Sequence, residues 1–110
     1  MKRNELLELI MDSMKDPVVF ADNNHIIKYM NRAAVSHYKK GTSLLGSSLL
    51  NCHNAESVRI ITEVHERMKD GLEEELISDN ERHRIFMRAV KDREGNLIGY
   101  YERFEPPVSD

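Results

Sequence analysis

Two short apolar runs separated by a polar tripeptide form the clearest pattern near the start of the chain. Valine, phenylalanine, isoleucine and tyrosine make up residues 18–20 and 26–29 apart from Lys28, and these residue types favour half-buried strands. Asp-Asn-Asn at 22–24 lies between the runs, and asparagine tolerates the positive φ that tight turns need. The pattern predicts a β-hairpin that leads directly into a helix over residues 32–40, with Asn31 as its N-cap.

Apolar residues at three- and four-residue steps predict an amphipathic helix at the N-terminus. It begins at Asn4 and ends before Pro17, so that residues 1–15 form a helical segment of their own. Its wide apolar face either packs on its own domain or forms a seam with a second copy of the chain. For a homodimer the predicted interface residues are Leu6, Leu7, Ile10 and Met14.

The strongest helical pattern extends over residues 55–69, after the capping residue Asn54. One side of this helix is charged and the other is apolar. His65 falls inside the apolar arc, and its placement is the main chemical question of the sequence.

The last third of the chain predicts three strands, over residues 72–78, 82–91 and 97–105. Gly95 occupies the position of positive φ in the turn before the last strand. Pro106 ends that strand, so we expect a domain over residues 16–106 and a disordered tail at 107–110.

Composition excludes several classes of protein. A chain of 110 residues forms one domain, and a formal net charge of −3 disfavours a nucleic-acid binder. The apolar runs are too short to span a membrane. Cys52 is the single cysteine, which argues against a disulfide framework and favours a reducing cytoplasm. We therefore expect a cytoplasmic protein.

Three motifs occur in a characteristic order. Ile27–Asn31 is followed by Ala33-Ala34, Leu45-Gly46 precedes the long helix, and Asp92–Gly99 forms an acidic-Gly-Asn turn into the last strand. In this order they resemble the PAS sensory domain, and the resemblance covers residues 6–104. It implies an α+β fold with a five-stranded antiparallel sheet in the order 2-1-5-4-3, helices across one face and an N-terminal amphipathic helix. PAS domains sense small molecules or cofactors, commonly dimerise, and pass a signal to effector proteins.

The resemblance also implies a ligand pocket between the sheet and the long helix. Apolar and tyrosine side chains, together with His65, are expected to face it. The predicted lining residues are Phe20, Tyr29, Tyr38, Leu49, Val58, Ile61, His65, Met87 and Tyr101.

Haem is a possible cofactor, because a haem needs an apolar slot and an axial ligand such as histidine. His65 resembles the axial ligand of haem-binding PAS sensors, with His53 as the second choice and Cys52 as an alternative under redox change. The competing interpretation makes His65 a hydrogen-bonded core residue.

Cys52 also invites comparison with light-sensing PAS domains, which carry a reactive cysteine near this point. The flanking residues differ, and Ile85, Met87, Gly99 and Tyr101 stand where flavin partners would be, so we do not expect a flavin. Cys52 is then either a redox-sensing thiol near a helix N-terminus or a buried structural residue.

The sequence contains no other motif that indicates a metal site or an active site. The five histidines lie far apart in sequence, so no metal site is predicted, and no nucleophile–base pair or phosphate loop indicates an enzyme. The leading hypothesis is a non-enzymatic sensor that binds a small ligand and signals through homodimerisation or contact with an effector protein. The alternatives are a haem-based gas or redox sensor and a ligand-free dimerisation module.

Overall fold

The computed structural model describes residues 1–108, and the last two residues of the predicted tail lie outside that range. The structure contains four features that the sequence predicts: a hairpin near the N-terminus, an amphipathic first helix, a long third helix and three C-terminal strands. The elements in chain order are α1 (Arg3–Asp12), β1 (Val18–Asp22), β2 (Ile27–Met30), α2 (Arg32–His37), two 3₁₀ turns (Gly41–Leu44 and Leu49–Cys52), α3 (Ala55–Lys69), β3 (Glu74–Asp79), β4 (Arg84–Lys91) and β5 (Leu97–Glu105).

The five strands form one antiparallel sheet in the order β2-β1-β5-β4-β3, which confirms the expected α+β topology. β5 lies at its centre, where Glu102 pairs with Val19 of β1 on one side and with Met87 of β4 on the other. All three side chains are buried on the inner face of the sheet, beneath α3. Alternate residues of the same strands, including Tyr101, therefore point to the outer face.

Local turn chemistry explains the hairpin. The Asp22 carboxylate accepts hydrogen bonds from the backbone N–H groups of Asn24 and Ile26, at 2.9 and 3.0 Å. Positive φ falls on His25, at 65°, and not on either asparagine as the sequence pattern predicts. The side chain of His25 is consequently held over the inner face, where it meets α3.

The helices differ from the predictions mainly at their ends. α3 spans the predicted residues, and the Asn54 side chain accepts from the N–H of Ser57 at 2.9 Å, as an N-cap does. α2 is shorter than predicted, ending at His37. α1 begins at Arg3, so the prediction of Asn4 as its cap is wrong. In residues 1–108 no helix combines the length and the apolar character needed to cross a bilayer.

Asn31 connects α1 to the rest of the fold through side-chain hydrogen bonds. Its side chain is fully buried, and its Oδ1 atom accepts from the N–H groups of Val18 and Ala34, both at 3.0 Å. Its Nδ2 atom donates to the carbonyl groups of Met11 and Asp16, both at 3.1 Å. The predicted helix cap is thus also the connection between α1, β1 and α2.

Candidate functional site

A partly open cavity of about 90 Å³ lies between α3 and the inner face of strands β3–β5. Polar side chains and a set of isoleucines share its walls. The polar members are His53, Ser57, Ser78 and Glu102, and the apolar members are Ile60, Ile61, Ile77 and Ile85. Apolar walls with a few polar groups are typical of small-molecule sites.

Glu102 is the unusual member of this set. Its side chain is 1% exposed, and no hydrogen bond from the described residues reaches its Oε1 atom. Burial raises the pKa of the Glu102 carboxyl, and nearby His53 opposes that rise. An unpaired buried carboxyl is costly to the fold, so its presence marks a candidate functional group.

The start of α3 positions the polar end of the cavity. The Asn54 cap fixes the first turn, which carries Ser57, while His53 Nδ1 lies 2.8 Å from the Leu49 carbonyl oxygen and donates to it. This bond sets the orientation of the imidazole and leaves Nε2 for other partners.

A second polar cluster connects the β1–β2 turn to α3. His65, 2% exposed, has its Nε2 atom 3.1 Å from Asn23 Oδ1. Asn23 donates through Nδ2 to the Leu97 carbonyl at 2.8 Å, so its oxygen faces the imidazole and accepts from Nε2–H. His25 Nδ1 lies 2.6 Å from the hydroxyl oxygen of Tyr100, which packs against both imidazole rings.

Both imidazoles of this cluster favour the neutral form. Burial is the main cause that lowers the pKa of His25, and Lys69 adds to it. Burial also lowers the pKa of His65, with His25 as the next contribution. Burial raises the pKa of the Tyr100 phenol, so its hydroxyl remains protonated beside neutral His25.

Three of the predicted pocket residues lie on the wrong face of the sheet for an internal cavity. Phe20 pairs with both Tyr29 and Tyr101, and all three side chains line an outer groove of about 360 Å³ beside α1. The prediction that they face the interior is corrected, because they alternate with the inward-facing residues of their strands.

The other predicted lining residues separate into different surroundings. Ile61 lines the Glu102 cavity, and Leu49 and Met87 are packed in the core. Val58 is half-buried on α3. Tyr38 borders an open groove of about 320 Å³ together with Cys52 and two lysines.

The three residues predicted to hold haem do not share one slot. His53 lines the Glu102 cavity, whereas the exposed Cys52 lines the open groove. A haem iron needs an axial nitrogen with open space beside it. At His65, Nε2 contacts Asn23 and the ring is packed by His25 and Tyr100, so these residues do not fit a haem.

The remaining chemistry of the sequence has no clear site. Although the Cys52 residue is exposed, desolvation of its thiol raises the pKa, opposite to the lowering that a reactive thiol requires. Within residues 1–108, no group of three or more potential metal-binding side chains comes together.

Glu102 was not among the residues predicted from the sequence. A signal was present, since Tyr100, Glu102 and Phe104 occupy alternate positions and therefore share one face of β5. Because Tyr100 and Tyr101 are adjacent, the sequence makes either face of this strand plausible as the apolar one, and an inward-facing Tyr101 would place Glu102 on the other face.

Comparison with known proteins agrees with this architecture. A family model described as PAS domain matches residues 7–105. No curated protein sequence matches the chain significantly.

Several solved structures share the fold. A C-terminal domain from Streptococcus mutans has a TM-score of 0.78 and 20% identity, covering 94% of this chain and 84% of that one. The PAS domain of Bordetella pertussis BvgS has a TM-score of 0.69 and 15% identity, covering 97% and 88%. The Vibrio cholerae Aer2 receptor, a dual PAS-haem oxygen sensor, has a TM-score of 0.57 and 19% identity, covering 84% and 94%. Identities this low show the fold alone.

Proposed function

The chain belongs to the PAS domain family, and on that premise we propose that it is a non-enzymatic, cytoplasmic sensory module. It binds a small molecule in the cavity at Glu102 and signals through self-association or contact with an effector protein.

Glu102 carries the proposal for ligand binding. Its buried carboxyl lacks a partner for Oε1 among the described residues, yet it lines a cavity with room for a small molecule. A ligand that bonds to this carboxyl would offset part of the cost of burying it. Asn31 differs from Glu102, because that buried side chain already forms four hydrogen bonds within the protein.

The central strand offers a route from the cavity to α1. Glu102 pairs across the sheet with Val19, whose strand is held to α1 through Asn31. A ligand changes the output only if it binds one arrangement of α1 more tightly than another, since equal affinity for both shifts nothing.

The exposed face of α1 supports self-association as the output. Leu6, Leu7, Leu9 and Ile10 each leave about half of their side chain exposed, and the outer apolar groove continues beside them. A second copy of the chain would cover this surface with its own α1. This observation also favours the second candidate function, a dimerisation module that needs no ligand.

A test of the first candidate is mass spectrometry of small molecules released when the purified protein is denatured. We expect a compound that is recovered from the wild-type protein and lost from Ile61→Trp, which fills the cavity. The matched control is the surface change Thr62→Trp on the same helix. Equal recovery from wild type and both variants, or no compound and no binding from a metabolite mixture, would refute ligand sensing in this cavity.

Haem is the cofactor alternative, and its support is limited to the likeness to the Aer2 structure in fold. Because the surroundings of His65 are filled, we expect no Soret band that depends on His65 after addition of hemin. A band that is lost in His65→Ala and kept in His37→Ala would reinstate the haem hypothesis.

A further inference from the structure

We propose that the Glu102 cavity selects a small organic cation, such as a short alkylammonium ion, with the Glu102 carboxylate as its counter-charge. This inference rests on the proposed function and adds the chemical class of the ligand.

The size of the cavity favours a ligand of a few heavy atoms. Its volume is about 90 Å³, and a cavity of roughly 150 Å³ is known to hold benzene. Isoleucines supply the apolar walls, at positions 60, 61, 77 and 85. These walls favour a short alkyl group over a fully polar ion such as ammonium.

Charge is the second argument. Burial opposes ionisation of Glu102, and a cation bound beside the carboxylate would offset that cost. The nearest arginines along the sheet do not serve, because Arg103 binds Glu74 and Glu105 on the outer face and Arg84 binds Glu105. Among the described residues, Glu102 forms no ion pair, so a full positive charge would come from the ligand.

Polar groups near Glu102 would also contact the bound cation. Ser57 and Ser78 place hydroxyl groups on the cavity wall, and these accept hydrogen bonds from an ammonium group. The titratable groups around Glu102 are His53, Tyr38, Tyr100 and Cys52. His53 is the one that can gain positive charge, and in that form it would compete with the ligand.

Binding is therefore linked to a proton. A protonated Glu102 side chain and an alkylammonium ion give the carboxylate–ammonium pair and one proton released to solvent. The affinity should rise with pH until Glu102 is already ionised in the free protein.

Methyl NMR of the isoleucine side chains tests the inference in the full chain. Ethylammonium chloride is the probe, ethanol is the neutral probe of similar size, and sodium chloride corrects for ionic strength. We expect saturable shifts of the Ile60, Ile61, Ile77 and Ile85 methyl signals with ethylammonium, at least tenfold weaker with ethanol. Glu102→Gln should weaken ethylammonium binding at least tenfold, whereas Glu105→Gln should leave it unchanged.

The outcomes separate this inference from the proposed function. Equal binding of ethanol and ethylammonium, or full retention by a folded Glu102→Gln protein, would overturn the choice of a cation while keeping the cavity as a ligand site. If neither probe nor any released compound moves these methyl signals, both ideas fail. If Glu102→Gln does not fold, the wild-type protein decides, because an ethylammonium affinity that does not rise with pH over the range in which free Glu102 is protonated contradicts the proposal.

Discussion

The imidazole rings of His25 and His65 meet edge to face, with their centroids 4.8 Å apart. One ring comes from the β1–β2 turn and the other from the middle of α3, so their contact joins the edge of the sheet to the helix that covers it. Two neutral rings pack comfortably at this distance, whereas two protonated rings would repel each other. The contact therefore makes the fold sensitive to acid.

Stability should fall when the pH drops below about 6.5, the ordinary value for histidine. The pKa values of His25 and His65 are lowered in the folded protein, so the unfolded chain binds protons first and acid favours unfolding. Urea unfolding between pH 5 and 8 measures the loss. The loss of stability between pH 8 and pH 5 should be smaller in His65→Gln. It should be unchanged in His37→Gln, a variant at an exposed histidine. NMR titration of either ring at or above pH 6.5 would contradict this explanation.

Glu102 should make stability depend on pH in the opposite direction. Its pKa is raised by burial, so its contribution is fully present below the ordinary value near 4.5 and is lost as pH rises through the folded-state pKa. Glu102→Gln should remove this loss and raise the free energy of unfolding near pH 8 by about 1 kcal/mol. Unfolding curves at pH 5 and 8 provide the measurement. Glu94→Gln, in the exposed β4–β5 turn, is the control and should keep the wild-type difference.

Asn31→Ala should be much more harmful than Asn54→Ala, although both asparagines cap helices. Loss of Asn31 leaves buried donors and acceptors without partners, at about 3 kcal/mol or more in total, whereas loss of the exposed Asn54 cap costs about 1 kcal/mol. Urea unfolding compares the two variants. Hydrogen exchange should also show faster exchange of α1 amides in Asn31→Ala alone. Equal costs would mean that Asn31 acts only as a cap.

Gly99→Ala should destabilise the sheet through a steric clash. A Cβ atom at this position would lie too close to the Ala21 carbonyl oxygen and 2.8 Å from Phe20 Cζ. We expect a cost of about 1–3 kcal/mol, as for other overpacked sites. Gly46→Ala, where a Cβ meets open space but φ is 86°, should cost about 1 kcal/mol. Thermal unfolding would rank the two, and the reverse order would refute the clash.

The apolar face of α1 should control association. Leu7→Gln combined with Ile10→Gln removes two half-exposed apolar side chains from that face, so a dimer should become a monomer without loss of the domain fold. Light scattering after size-exclusion chromatography gives the mass, and circular dichroism checks folding. Glu5→Gln is the control on the same helix. A monomeric wild-type protein at high micromolar concentration would argue against this surface as a dimer seam.

Local pattern alone accounts for most of the secondary structure. The charged and apolar sides of α3, its Asn54 cap and the turn at Gly95 are short-range features, and each involves residues close together in the chain. The strand order came from the family resemblance, because no local pattern states which strands pair. The observed start of α1 at Arg3 and end of α2 at His37 differ from the predicted positions, because helix ends depend on weak capping preferences.

The candidate site depended on the tertiary structure. Strand periodicity shows that Glu102 and Tyr101 face opposite ways, but only the packing of β5 between β1 and β4 decides which of them faces α3. The sequence determined that His65 lies on the apolar side of a helix. It could not show that His25 completes the contact, because their pairing depends on where a distant turn meets that helix.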